Sequence, residues 1–292
     1  MGLAKRAIYR SGALVTAGVL RARPEPRGME SLEAELAAAR TLDVADLADA
    51  IESIGFECTR CGGCCTGYAP DEPGGAPAGE GVDENGSDCH DGDDAESGCR
   101  DGDADREPHT ATVFPDEVRR VADAAGDEFG EAYDWRDVAR PMPFGLESDD
   151  DGEPSGETFE WALATDDCGD CTFYEESDGE GACGVHDARP LICRTYPFSV
   201  ALDGTSQPMG EAVDEAGVVR AHECEGLGRD ISRGDAEELA GALKERAVRE
   251  LEEAIGVRDG YDPTAGERTD GDVVVFDSEG PKAADGTPIG GE

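Results

Sequence analysis

The chain has 292 residues, with 69 Asp and Glu against 25 Lys and Arg, a formal net charge of −44. Only 38% of residues are hydrophobic and 5% aromatic, which supports a core of roughly 150–200 residues with the rest solvated. Only Lys5, Lys244 and Lys282 are lysines, and such an acidic, lysine-poor surface suits a halophilic host, where molar salt cuts the Debye length to about 3 Å and screens self-repulsion. Phosphate contacts need clustered Lys and Arg, so this balance excludes nucleic acid as a partner.

Residues 1–28 carry six basic side chains and one acid. They read either as a basic arm or as a mis-assigned start, with translation beginning at Met29, where the acidic composition starts. The apolar run at 11–20 is too short to span a bilayer, and no small-residue cleavage site follows it. The chain is therefore expected to be cytoplasmic, with no stable membrane span. Two helices are predicted next. In 31–41 Leu32, Leu36 and Ala39 share a face; in 43–54 Val44, Leu47, Ala48 and Ile51 do.

Residues 69–108 hold fourteen acids and eight glycines in 40 positions and read as a disordered insert. It contains Cys89, His90 and Cys99. Its "DGDAD" resembles the start of a calcium loop, but Arg106 and Thr112 stand where glycine and glutamate are required. A helix is predicted over 114–129, with Pro115 in its first turn and Val118, Val121, Ala122 and Ala125 as its stripe. An acidic loop at 147–157 and a strand at 158–164 follow, then strands in "PFSVAL" and "AGVVRA". Leu239, Leu243, Ala247, Leu251 and Ile255 predict a helix over 235–255, stopped by Gly256. The stretch 258–292 reads as a disordered acidic tail.

The chemistry lies in the eleven cysteines. An odd count in a long chain does not suit a secreted disulfide framework, whereas thiolates select zinc or iron–sulfur clusters. Cys58, Cys61 and Cys64 repeat as C-x2-C-x2-C, a spacing that lets a curled loop aim three sulfurs at one point, and Gly62 and Gly63 permit the curl. Cys65 adjoins Cys64. Adjacent side chains diverge, so the pair is expected to do two jobs, serving either two metals or one metal and a redox thiol, with Cys64 continuing the spacing. A second set follows at Cys168, Cys171, Cys183, Cys193 and Cys224, and the two sets are expected to meet, with Cys58 and Cys61 near Cys183 and Cys193. Arg189 and Arg194 flank Cys193 as counter-charges for thiolates. Pro190 and Pro197 bracket a short helix whose amides would face the site.

"CTRCGGCC", followed by "CTFYEE", "ACGVHDARPLICRTYPF" and a late "CEGLG", resembles the YkgJ family of cysteine-cluster proteins, the CxxCxxCC zinc- or iron-chelating domain. The resemblance covers about 56–228. It implies metal ligation by Cys58, Cys61, Cys64, Cys65, Cys171, Cys183, Cys193 and Cys224. Cys168 is extra, and His186 stands where the family has an aromatic residue, either as a substitute ligand or as a hydrogen-bonding filler; the same two readings apply to His222.

The expected fold is α+β: a small, irregular, metal-stabilised cysteine-cluster domain over 29–257 with flanking helices and acidic inserts. The leading functional expectation is an iron–sulfur protein, with a [4Fe–4S] cluster or iron, serving electron transfer or redox sensing with a partner protein. The alternatives are a structural zinc protein with four-thiolate sites and a methylase-type enzyme supported by the cluster. No catalytic motif rises above the acidic background, and both a glycine-rich nucleotide loop and the C-x3-C-x2-C spacing are absent. Metal is expected to carry much of the folding free energy.

Overall fold

Polar caps start the three helices that build the first core. Ser31 accepts a hydrogen bond from the Ala34 amide at the head of α1 (Leu32–Thr41), Asp43 does so from Ala45 at α2 (Val44–Ile54), and Ser232 from Asp235 at α6 (Arg233–Gly260). The computed structural model describes residues 31–68, 106–148, 154–177, 180–202, 212–265 and 272–290. Expectations for residues 1–28, Cys89, His90, Cys99 and the calcium-like motif lie outside them. In chain order the remaining elements are β1 (Thr112–Val113), α3 (Pro115–Phe129), α4 (Trp135–Val138), β2 (Ala139–Pro141), β3 (Leu146–Ser148), β4 (Pro154–Phe159), β5 (Trp161–Leu163), β6 (Tyr174–Ser177), β7 (Glu180–Cys183), α5 (Leu191–Thr195), β8 (Phe198–Val200), β9 (Ala212–Asp214), β10 (Val219–His222), β11 (Val273–Asp277) and β12 (Gly280–Ala283). The α+β class expected from the sequence is the one observed.

Two main cores form. In the first, α1 and α2 pack on α6, where Ala236, Ala240 and Ala247 let backbones approach and Leu243 and Leu251 fill the remaining space. The antiparallel sheet β8-β10-β9 closes it with Phe198, Val200, Val219 and Ala221. The second core gathers the α3 stripe (Val118, Val121, Ala125) under sheet β1-β5-β2, with Trp161, Leu163, Phe173 and Val185. Val273 and Val275 join it from the sheet β12-β11-β4-β3. The hairpin β6–β7 borders it. Among the described residues no helix is long and apolar enough to cross a membrane.

Several expectations need correction. The predicted strand 158–164 is two strands in different sheets, because Glu160 adopts φ +68° and turns the chain between β4 and β5. The loop 147–157 is shorter than expected: Leu146–Ser148 pairs with Pro154–Gly156. The insert also ends early, since Glu107 bridges to Tyr68 and Arg106 donates to the Gly67 carbonyl. Gly256 does not stop α6. A Cβ there would lie 2.6 Å from the Ser278 Cβ, so the glycine admits the β11–β12 turn while the helix runs on to Gly260. The largest correction is the tail. β11 pairs in parallel with β4 and antiparallel with β12, and Val274, Val275 and Phe276 are buried. Lys282 pairs with Asp277, which accepts from the Trp161 indole at 2.8 Å, so this segment is tied into the second core.

Candidate metal centre

The cysteine loop leaves α2 through Gly55, whose φ is +79°; a Cβ there would meet the Arg229 carbonyl oxygen at 2.5 Å. Phe56 then bridges to Leu227 and sets its ring edge-on to Phe198, 5.7 Å away. The Glu57 amide donates to the Gly226 carbonyl at 3.0 Å, which brings the Cys224 turn beside Cys58. Within the loop the Cys65 amide donates to the Gly62 carbonyl at 2.7 Å, and Arg60 and Gly62 take positive φ of 59° and 76°. This is the expected curl, but its second left-handed residue is Arg60 and not Gly63. Gly62 is required for space as well, because a Cβ would lie 2.1 Å from the Tyr174 hydroxyl oxygen.

The far end of the loop is sewn to the second core. The Cys171 amide donates to the Cys65 carbonyl at 2.8 Å, and the Gly181 amide to the Arg60 carbonyl at 2.7 Å. Tyr174 donates through its amide to the Cys171 carbonyl and pairs with Cys183 across the hairpin. Cys193 rides on α5. Its Leu191 amide donates to the buried Glu117 carboxylate at 3.0 Å, so at least this amide is turned to α3 and not, as expected, to the site. At the other end Arg246, 1% exposed, donates to Thr195 Oγ1 at 3.0 Å and to the Phe198 carbonyl at 3.3 Å. Glu117 and Arg246 were both missed in the sequence. Arg246 lies three residues from Leu243 and seven from Leu239, and that spacing marks it as facing inward.

All eight cysteines that the resemblance names are free. Cys58, Cys61 and Cys64 are exposed, Cys171 is buried, and the rest are half-buried. Cys65, Cys171, Cys183 and Cys193 all pack against the second core. The sulfurs of Cys64 and Cys65 stand 3.8 Å apart, so the adjacent side chains converge where divergence was expected. The Cys65 hydrogen bond, with help from Arg189, lowers the Cys64 thiol to about 7. Cys65 is pushed up by that same hydrogen bond, by burial and by the charges of Cys64, Cys193 and Cys171. Burial, with neighbouring thiolates adding to it, raises Cys193 well above its ordinary value. Burial also raises Cys183 and takes Cys171 to about 12. Cys224 rises to about 11 through burial and then the charges of Cys61, Cys64 and Cys58. Cys58 and Cys61 thus act on Cys224, while the Gly181 amide bonded to the Arg60 carbonyl brings the hairpin of Cys183 against the same loop, so the two cysteine segments meet as expected. The interior thiols resist ionisation on their own, and a cation among them would reverse that.

Among the described residues no three His, Cys, Asp or Glu side chains already stand in coordinating positions, so a metal would have to draw the sulfurs together. A change of χ1 rotamer moves a sulfur by about 3 Å. The donor set fits a thiophilic metal. Cys168 is disulfide-bonded and is no ligand. His186 is exposed, with Nδ1 3.4 Å from Asp187. His222 is a buried sheet residue whose Nε2 meets Ser199 Oγ at 2.8 Å. Arg189 is half-buried and its charge favours the thiolates of Cys64, Cys183 and Cys193. Arg194 is exposed.

No curated protein and no solved structure matches the chain. A family model described as "CxxCxxCC: Putative zinc- or iron-chelating domain" matches residues 57–225, a span that begins one residue before Cys58, ends one after Cys224 and covers more than half of the sequence. The chain belongs to this CxxCxxCC, YkgJ-like family of zinc- or iron-chelating domains.

Proposed function

We propose that the chain is an iron–sulfur protein whose cluster is held by Cys58, Cys61, Cys64 and Cys224, and that it transfers or senses electrons with a partner protein. One observation carries the reading: a C-x2-C-x2-C loop, curled at Arg60 and Gly62, is joined by the Glu57–Gly226 hydrogen bond to a distant fourth cysteine. Three close thiolates and one remote thiolate are a ligand pattern of [4Fe–4S] clusters. Bound there, the cluster would supply one-electron chemistry. The chain's own residues hold the loop in register, and the exposure of Cys58, Cys61 and Cys64 leaves the centre within reach of a partner. The Gly226 amide lies 3.4 Å from the Cys224 sulfur, a donor of the type that tunes thiolate ligands.

Anaerobic purification at high salt, with iron and acid-labile sulfide analysis and a visible spectrum, tests this. The expected result is about four irons and four sulfides per chain, lost in Cys61→Ser and Cys224→Ser. Sulfide-free protein carrying only zinc would overturn it. A zinc reading of the loop is favoured by the 3.8 Å between the Cys64 and Cys65 sulfurs, since two thiolates on one tetrahedral ion with ~2.3 Å bonds stand about 3.8 Å apart.

A further inference from the structure

We propose that Arg140 and His109 form a binding site for a small oxyanion, of the phosphate or carboxylate kind, on the face of sheet β1-β5-β2 that is turned away from the second core. The proposal does not depend on the metal reading above.

The sheet fixes where the site lies. Val113, Ala139, Trp161 and Leu163 send their side chains into the second core. Successive strand residues face opposite ways, so Thr112, Ala162 and Arg140 face outward, and the register sets them side by side in one row. The chain from Glu107 to His109 runs past the Arg140 end of this row. The Glu107 and Tyr68 backbones bond to each other at 2.8 and 2.9 Å, and the His109 amide donates to the Gly169 carbonyl at 2.8 Å. The Arg140 guanidinium donates to the His109 carbonyl, also at 2.8 Å.

Charge singles the site out. Arg140 is half-buried, yet that bond uses only one of its five N–H donors, and Nε is buried without a partner. Among the described residues no carboxylate pairs with it, in a chain of 69 acids and 25 Lys and Arg. The acids nearby are engaged elsewhere: Asp170 pairs with Arg106 and accepts from the Gly67 amide, and Glu107 is bonded to the Tyr68 hydroxyl, which also meets Thr110. A cation withdrawn from water without a counter-charge costs free energy. Burial accordingly holds Arg140 below its ordinary value, with Tyr68 pulling the other way. His109 is kept neutral, because burial and then the Arg140 charge lower its imidazole to about 4.

An oxyanion relieves both strains. It supplies the counter-charge that Arg140 lacks, and its own charge lets His109 take up a proton and donate to it. A planar guanidinium presents paired donors that match two oxygens of a carboxylate or phosphate, whereas chloride meets it only as a point charge. That distinction matters for a surface suited to molar salt.

The test is NMR of the histidine side chains in the full chain, titrated at constant KCl with inorganic phosphate and, separately, with acetate. The four histidines are told apart with single His→Gln variants. The His109 signals are expected to move saturably with one probe at millimolar concentration. Their titration midpoint should rise from about 4 toward the ordinary 6.5, while exposed His186 and buried His222 stay in place. Saturation by phosphate assigns a phosphate-type ligand, and saturation by acetate a carboxylate. Arg140→Lys keeps the charge and loses the paired donors, so it should weaken binding about tenfold. Arg140→Gln should abolish binding; should that variant misfold, Arg140→Lys and the wild-type titrations still decide. His109 signals that respond to neither probe, that move only in parallel with His186, or that saturate equally well in Arg140→Lys overturn the proposal.

Discussion

The two main cores of this chain are stabilised in different ways. The first is helices meeting through alanines and leucines, closed by one sheet, and among the described residues no cysteine packs into it. The second is assembled from strands of two to six residues and the helix α3, with four cysteines packed against it. Short strands bury little each, so such a core gains more from a cross-link than a helical one does. If metal carries much of the folding free energy, as expected, the larger share of it should fall on the second core.

Metal removal is the largest lever on that comparison. Structural zinc in small domains is worth about 10–16 kcal/mol apparent. Chelation, followed by hydrogen exchange, should strip protection from β5, β7 and α5 while α2 and the middle of α6 stay protected. If all of these open together, the two cores are one cooperative unit and the contrast drawn here fails.

The converse perturbation is Leu243→Ala, at a fully buried position of the first core. It should cost about 3 kcal/mol, within the range for a cavity left by a large aliphatic side chain. Thermal melts with and without metal should show the same loss, at unchanged metal content. A fall in metal stoichiometry would mean that α6 controls the centre through its packing. The narrower link is Arg246. Arg246→Met should cost about 2 kcal/mol, because Thr195 and the Phe198 carbonyl lose a charged donor. It should also speed metal loss, measured as release to a chromogenic chelator. Unaltered release would show that α5 is held well enough by Glu117 alone.

How far each region could be read in advance follows from the range of its interactions. The stripes of α1, α2 and α3 are local repeats, and Leu36, Ala39, Leu47, Ala48, Ile51, Val118, Val121 and Ala125 are all buried as expected. The cysteines were legible as a metal-binding set because their spacing is local too. Which thiols belong together was not. The cysteine segments meet through long-range contacts, such as the Glu57 amide, beside Cys58, donating to the Gly226 carbonyl more than 160 residues away. The same reason hid β11: "VVVF" is four residues long, and its partner β4 lies more than a hundred residues earlier. Gly256 misled because glycine marks both helix ends and close approaches, and only the neighbour, Ser278, distinguishes them.

The smallest expected effect tests the turn that splits β4 from β5. Glu160 sits there at φ +68°, and burial, with the charges of Glu250 and Glu253 on α6, raises its carboxyl to about 7 from 4.5. Between those values the folded chain keeps a proton that the unfolded chain releases, so stability from this group is full below about pH 4.5 and falls until about pH 7. Glu160→Gln removes the charge without changing the turn. It should leave the melting point unchanged at pH 4.5 and stabilise by about 2 kcal/mol at pH 8, after discount for partial solvent access. Denaturant melts at the two pH values, with metal bound, measure the difference. Burial is the larger cause and salt does not screen it, so most of the gain should survive in 2 M KCl. If the gain disappears in salt, repulsion from Glu250 and Glu253 dominates, and Arg246, which pairs with Glu250 at 2.7 Å, becomes the residue that moderates it.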